Sequence, residues 1–194
     1  MVSAVHDLVE EIVVLAPGRE LAVLRPRDSE ALLDEHAFEA EEFLPYWAEL
    51  WPSGVALARA VANRALRGAR VLELGCGLGL PSIAAALAGG RVLATDWAPA
   101  AIDLLRENAR RNGATLETAL VRWEAPEALL ERAPFDLVLA ADVLYERRNV
   151  PLLAGLLPRL GGEVLLADPG RPPLEDFLAR TGSVWARPPL YRLL

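Results

Sequence analysis

The sequence predicts an α/β fold: a mostly parallel sheet with helices on both faces, preceded by a small N-terminal β extension. Three observations predict it. From residue 70 onward, short apolar runs alternate with longer amphipathic runs, and that alternation produces parallel strands joined by crossover helices. The first apolar run, VLELGCGLG at 71–79, ends in a turn built from Gly75, Gly77 and Gly79. The second, VLATDW at 92–97, ends in Asp96. Sheets of this kind bind ligands at the carboxyl ends of their strands, so the same observations place a pocket.

The elements follow in order. Residues 11–15 and 20–25 read as two short strands around the turn pair Pro17-Gly18. Asp28 or Ser29 is expected to cap a short helix through about His36. A loop rich in aromatics and acids, AEEFLPYWAELWPSG, comes next, and Ser53 is expected to cap a helix over 54–66. Strands are expected at 70–74, 91–95, 115–121, 135–140 and 163–167. Helices are expected at 80–88, 99–112, 149–160 and 173–180. Pro81 and Pro99 stand where helices start, a position at which proline's missing N–H costs nothing. Gly89 and Gly113 stand where helices stop. The tail reads as two last strands, 183–186 and 190–194. No internal repeat interrupts the chain, so 1–194 reads as one domain, with N-terminal strands and a lid-like loop at 1–50 and the core at 51–194.

Composition narrows the function. At 53% hydrophobic, the 194 residues can bury a sizeable core. No uncharged apolar stretch is long enough to span a bilayer, and MVSAVHDLVEE lacks the pattern of a secretory signal, so a cytoplasmic location is expected and no membrane partner. A lone cysteine, Cys76, excludes an internal disulfide and a multi-cysteine zinc site. His6 and His36 are far apart, so no metal is expected. The net charge of −7, with scattered arginines and no basic aromatic-laced patch, argues against nucleic acid and suits a basic partner. Nothing points to an oligomer, and a monomer is the default.

The glycine loop lets backbone approach a ligand closely and supplies positive φ. A dinucleotide fingerprint is G-x-G-x-x-G, whose third glycine here falls on Leu80. The run is instead G-x-G-x-G with Glu73 before it. That detail favours S-adenosylmethionine (SAM) among nucleoside-bearing cofactors. Asp96, about twenty residues past the loop, stands where an acid bonds the ribose hydroxyls; the alternative is a cap for the helix at Pro99. Trp97 packs on the adenine edge or covers the sheet end. Trp123, after the third core strand, lies against the adenine ring or serves as a core aromatic under a loop. Cys76 is a small filler of the loop rather than a nucleophile, since no histidine adjoins it in sequence.

FDLVLAADVLYE at 135–146 carries a second signal. A strand ending in Asp142 beside the cofactor loop aims a carboxylate at the transferred group. Methyl transfer to an amine needs a neutral lone pair held in line. A carboxylate attracts the ammonium and then orients the neutral amine by accepting its hydrogen bond. Tyr145 walls the amine channel, with cation–π attraction aiding entry. The alternatives are an N-cap for Asp142 and ordinary packing for Tyr145. PYWAELWPSG at 45–54 is a lid over the cofactor, with Trp51 nearest the sheet, or a cover for the N-terminal strands. Asp168 and Arg171, in ADPGRPP, pair with each other or face substrate.

These pieces resemble a class I SAM-dependent methyltransferase, and within that class the seven-β-strand protein-lysine methyltransferases that modify chaperones, elongation factors and the electron-transfer flavoprotein β subunit. WAELWPSG, VLELGCGLGLPSIAAA, TDW, the Trp123 segment, FDLVLAADVLY and ADPGR occur in the family's order over 45–171. The aspartate-x-x-tyrosine after the fourth core strand is the more diagnostic motif. The resemblance implies a Rossmann-like sheet of strand order 3-2-1-4-5-7-6, the seventh antiparallel. It implies SAM contacts at Trp51, Gly75, Gly77, Asp96, Trp123 and Ala141, and an amine framed by Asp142 and Tyr145. With Glu73, Cys76, Gly79 and Trp97 from the loop and strand ends, this completes the expected cofactor site. The function implied is N-methylation of a lysine side chain of a protein, with S-adenosylhomocysteine as product. A small-molecule amine or heterocycle is the alternative substrate, and a non-catalytic SAM-binding regulator a further reading. An NAD-dependent oxidoreductase is disfavoured by Leu80.

Overall fold

Short runs rich in β-branched and apolar residues on either side of Pro17-Gly18 form a hairpin, in which Val13 and Leu15 are buried and Ile12 and Val14 exposed. β1 (Leu8–Ala16) and β2 (Arg19–Pro26) pair antiparallel, with Gly18 supplying the positive φ their tight turn needs. The computed structural model describes residues 7–29, 32, 45–182 and 185–193. The helix expected from Asp28 or Ser29 through His36 lies, past Ser29, almost wholly outside the described residues.

α1 (Pro52–Ala62) begins earlier than expected and ends earlier. Ser53 is not its cap: Trp51 is the N-cap and Pro52 the first helical residue, where its fixed φ starts the helix. Ser53 is buried inside the first turn instead. Then come β3 (Arg70–Leu74), α2 (Leu80–Leu87), β4 (Arg91–Asp96), α3 (Pro99–Arg111) and β5 (Glu117–Leu120). A one-turn helix, α4 (Glu127–Leu130), precedes β6 (Leu137–Ala141). α5 (Asn149–Leu160), β7 (Glu163–Ala167) and α6 (Pro172–Thr181) follow, and β8 (Trp185–Arg187) and β9 (Leu190–Leu193) close the chain. The core elements fall where the alternation puts them, with ends moved by a residue or two; α4 alone was not expected.

The sheet runs β5-β4-β3-β6-β7-β9-β8. The first five are mutually parallel, and β9 is antiparallel to both β7 and β8. Counted from β3, this is the implied order 3-2-1-4-5-7-6 with an antiparallel seventh strand. Each strand faces two ways. Val71, Leu137, Leu139 and Leu165 face a layer formed with α1, α2 and the hairpin, in which Leu57, Ile83 and Leu21 are fully buried. Leu72, Leu74, Val138 and Leu166 face a second layer with Leu153, Leu160 and Phe177. Each such buried side chain contributes about 2 kcal/mol.

The hairpin is docked by two asparagines one helical turn apart on α3. Asn112 Oδ1 accepts from Ala22 N at 2.9 Å, and its Nδ2 donates to Ala22 O at 2.8 Å. Asn108 does the same for Leu24, at 2.7 and 3.1 Å. The two carboxamides stand in for a neighbouring strand along β2, so its backbone is satisfied without extending the sheet. Asn108 is fully buried, and its Nδ2 also reaches Leu78 O, in the glycine loop, at 3.1 Å.

Candidate active site

Strand order reverses between β4 and β6, the two neighbours of β3, and the crevice at their carboxyl ends is a cavity of ≈ 250 Å³. Every residue expected at the site lines it: Trp51, Glu73, Gly75, Cys76, Gly77, Gly79, Asp96, Trp97, Trp123, Ala141, Asp142 and Tyr145.

The glycine loop forms the floor. Gly75, Gly77 and Gly79 all have positive φ. A Cβ on Gly75 would lie 3.4 Å from the Trp123 indole. On Gly77 it would lie 3.0 Å from the Trp47 carbonyl oxygen, because the turn Tyr46–Ala48 crosses directly over the loop. On Gly79 it would collide with Leu105 of α3. All three glycines therefore let neighbouring chain approach closely. Cys76 is buried under the loop, and desolvation followed by the nearby Asp96 and Glu73 pushes its thiol well up, which makes it inert.

Asp96, at the end of β4, accepts from Gly77 N at 2.9 Å through Oδ2 and from Ala98 N at 3.0 Å through Oδ1. The N-cap of α3 is Ala98, which has no side-chain cap, so Asp96 is not the helix cap; it is buried and anchors the glycine loop and the approach to α3. Each oxygen keeps acceptor capacity toward the cavity. Burial raises its pKa, opposed by these backbone bonds. Glu73 lies deeper, bonded to the Ser82 hydroxyl, and burial pushes it up to about 8. It is therefore mostly neutral at neutral pH. Trp123 packs partly against the second core layer and partly lines the cavity. The Arg122 guanidinium sits 5.9 Å above the Trp97 ring.

Asp142 follows β6 with φ +55, and its N–H is bonded to Ala167 O at 2.9 Å. It caps no helix, since α5 begins at Asn149. Its Oδ1 accepts from the Arg171 guanidinium at 2.6 Å, while Oδ2 is buried and makes no hydrogen bond. Burial raises its pKa against the pull of Arg171 and the nearby Ser53 hydroxyl. In ADPGR the Asp168 and Arg171 side chains do not pair with each other. Asp168 accepts the Gly170 and Arg171 N–H groups at 2.8 Å each, and the Arg171 side chain turns to Asp142 instead.

Aromatic rings wall this end. Tyr145 lies 4.9 Å from Tyr46, and Tyr46 lies 6.2 Å from Trp51, centroid to centroid. Trp51 Nε1 donates to Tyr46 O at 2.8 Å, and the Arg171 guanidinium lies 5.4 Å from the Trp51 ring centroid. Burial, then Glu146, pushes the Tyr145 phenol up to about 12, so it remains a neutral wall. Tyr46, Glu49 and Trp51 of 45–54 line the cavity, while Trp47 and Leu50 also pack against the core layer that holds the hairpin. Sequence reasoning missed Tyr46, Glu49, Arg148 and Asn149 as lining residues. Tyr46 stood within the aromatic loop that signalled the lid; the other three carried no spacing signal.

Comparison with known proteins agrees with this geometry. A family model described as lysine methyltransferase matches residues 41–166. The electron transfer flavoprotein beta subunit lysine methyltransferase of Xenopus laevis is 37% identical over 135 residues, 66% of this chain and 53% of that protein. EEF1A lysine methyltransferase 3 of Mus musculus is 33% identical over 120 residues, 59% of this chain and 51% of that protein. The chain thus spans about half the length of the curated relatives it matches. Among solved structures, a T. thermophilus 16S rRNA N2 G1207 methyltransferase, in complex with AdoMet and guanosine, superposes with a TM-score of 0.62 at 19% identity. That match covers 96% of this chain and 49% of the other, and it shows the shared fold. A matching family model over most of the chain, the 3-2-1-4-5-7-6 sheet and an aspartate with its tyrosine at the end of β6 lead to one conclusion: the chain belongs to the lysine methyltransferase family.

Proposed function

We propose that this protein is a SAM-dependent N-methyltransferase that modifies a lysine side chain of a protein. The observation that carries the proposal is Asp142: a buried carboxylate with a free acceptor oxygen, held beside Tyr145 in the same cavity as the glycine loop. The cavity fits the cofactor. The loop presents glycine backbone, Asp96 presents carboxylate oxygens with unused acceptor capacity, and Trp123 and Trp97 line the cavity with aromatic side chains. Gly75, Gly77, Asp96, Trp97, Trp123, Trp51 and Ala141 would hold SAM, which supplies an electrophilic methyl on a sulfonium centre.

The chain's own residues do the rest. Tyr46, Trp51 and Tyr145 form an aromatic wall along which a lysine stem slides and its cationic head is attracted. Asp142 Oδ2 accepts an N–H of the amine and fixes the direction of its lone pair. The turn Tyr46–Ala48 covers the loop and excludes water. Relatives named for lysine residues of an electron transfer flavoprotein subunit and of EEF1A support a protein acceptor, as does the net charge of −7, which suits a basic segment. A cytoplasmic location belongs to the same reading, and cell fractionation with an antibody would test it.

The deciding experiment is transfer of tritiated methyl from SAM into a host-cell extract, with the Asp142→Ala protein as control. A labelled protein band that the variant fails to produce is the expected result. Label confined to the small-molecule fraction would replace the protein acceptor with a small amine.

A further inference from the structure

Arg171 reaches Asp142 by construction rather than by chance. Its backbone N–H is bonded to Asp168 Oδ1 at 2.8 Å, its guanidinium lies 5.4 Å from the Trp51 ring centroid, and that ring is held by Tyr46 O. One guanidinium nitrogen then donates to Asp142 Oδ1 at 2.6 Å. The other oxygen, Oδ2, is buried and makes no hydrogen bond.

The surrounding charge explains why such a cation is needed. Asp142 faces Asp168 at the end of β7. Asp96 on β4 and Glu73 on β3 line the same cavity, Glu49 lines it from the covering turn, and Glu146 acts on Tyr145 and is paired with Arg148. Glu73, pushed up to about 8 by burial, is mostly neutral, but the ionised carboxylates among these hold a delivered amine as an ammonium and raise its pKa above the usual value of about 10. An ammonium has no lone pair to attack with.

Resting on the reading of Asp142 as the group that receives the substrate amine, we propose that Arg171 is a positioning residue that makes the bound amine neutral. By cancelling the charge of Asp142 it withdraws the attraction for an ammonium, and it leaves Oδ2 to accept an N–H of the neutral amine. The proton that the ammonium gives up passes to solvent, which reaches the partly exposed Arg171 side chain. The Arg171–Asp142 pair therefore trades affinity for the cation against reactivity of the amine.

Two variants test this, Arg171→Gln and Arg171→Lys. In the enzyme alone, the Asp142 carboxyl is followed by carbon-13 NMR, its signal assigned by its loss in Asp142→Asn. Asp142 is expected to titrate at higher pH in R171Q than in wild type, and close to wild type in R171K. With the labelled acceptor band as substrate, the acid limb of the kcat profile is expected to move up by about one pH unit in R171Q. At neutral pH its kcat then falls about tenfold while KM for the acceptor does not rise. R171K restores the profile. An unshifted Asp142 titration overturns the proposal whether or not transfer is found. So does a raised KM with an unchanged pH profile, the signature of a merely structural role. Wild-type protein that binds SAM and methylates nothing would instead overturn the reading on which the proposal rests.

Discussion

Asp142 takes a backbone conformation that aspartate adopts at modest cost and alanine resists. Asn shares that tolerance of the left-handed region, so Asp142→Asn is expected to lose methyl transfer with little loss of stability. Asp142→Ala loses transfer and about 1 kcal/mol more, read from urea midpoints. Glu73 gives a pH prediction. Its folded pKa of about 8 lies above its unfolded value near 4.5, so the folded state binds more protons between these pH values. Stability is therefore fully supported below pH 4.5 as far as Glu73 is concerned, and falls as pH rises toward 8. Between pH 6 and 8, where the shift of Glu73 acts, Tm of wild type is expected to fall more steeply than Tm of Glu73→Gln. The identity of these residues was legible because each ends an apolar strand or sits in a glycine run. What they bond was not. The Arg171–Asp142 pair joins residues from two different strand ends, and nothing in either local sequence specifies it.

At the scale of elements, periodicity placed the strands and helices from β3 onward to within a residue or two. It misplaced both ends of α1, because Pro52 rather than Ser53 starts the helix. The docking of the hairpin was invisible, since it rests on carboxamides whose partners are backbone groups more than eighty residues away in sequence. Removing Asn108 leaves Leu24 N, Leu24 O and Leu78 O without their buried partner. Asn108→Ala is thus expected to cost about 3 kcal/mol and to speed hydrogen exchange at the Leu24 amide most of all. Asn112→Ala, further from the glycine loop, is expected to free the Ala22 amide while leaving cofactor affinity closer to normal. Hydrogen-exchange mass spectrometry beside calorimetric titration with S-adenosylhomocysteine checks both.

For the whole molecule, the alternation of elements and the family resemblance together made the sheet order readable, including the reversed last strand. The N-terminal extension was readable only as two strands, because its place against α3 depends on surfaces that exist after the core has formed. A ligand that binds the folded chain and not the unfolded one stabilises it by mass action. S-adenosylhomocysteine at a hundredfold its Kd is expected to add about 2.7 kcal/mol. For a chain of this size that raises Tm by about 5–10 °C. The Asp142→Asn protein should show the same rise, since its altered group serves the amine end of the cavity, whereas Gly77→Ala should lose most of it, its new methyl meeting the Trp47 carbonyl. Differential scanning calorimetry reads all three.

Asn108 closes bonds to the hairpin and to the glycine loop with a single carboxamide. The hairpin and the glycine loop therefore share one buried hydrogen-bonding residue. Coupling of this kind is reciprocal. If a cofactor steadies the loop through Asn108, whatever it gains there it returns to the hairpin in equal measure, which hydrogen exchange at the Leu24 amide with and without S-adenosylhomocysteine would read.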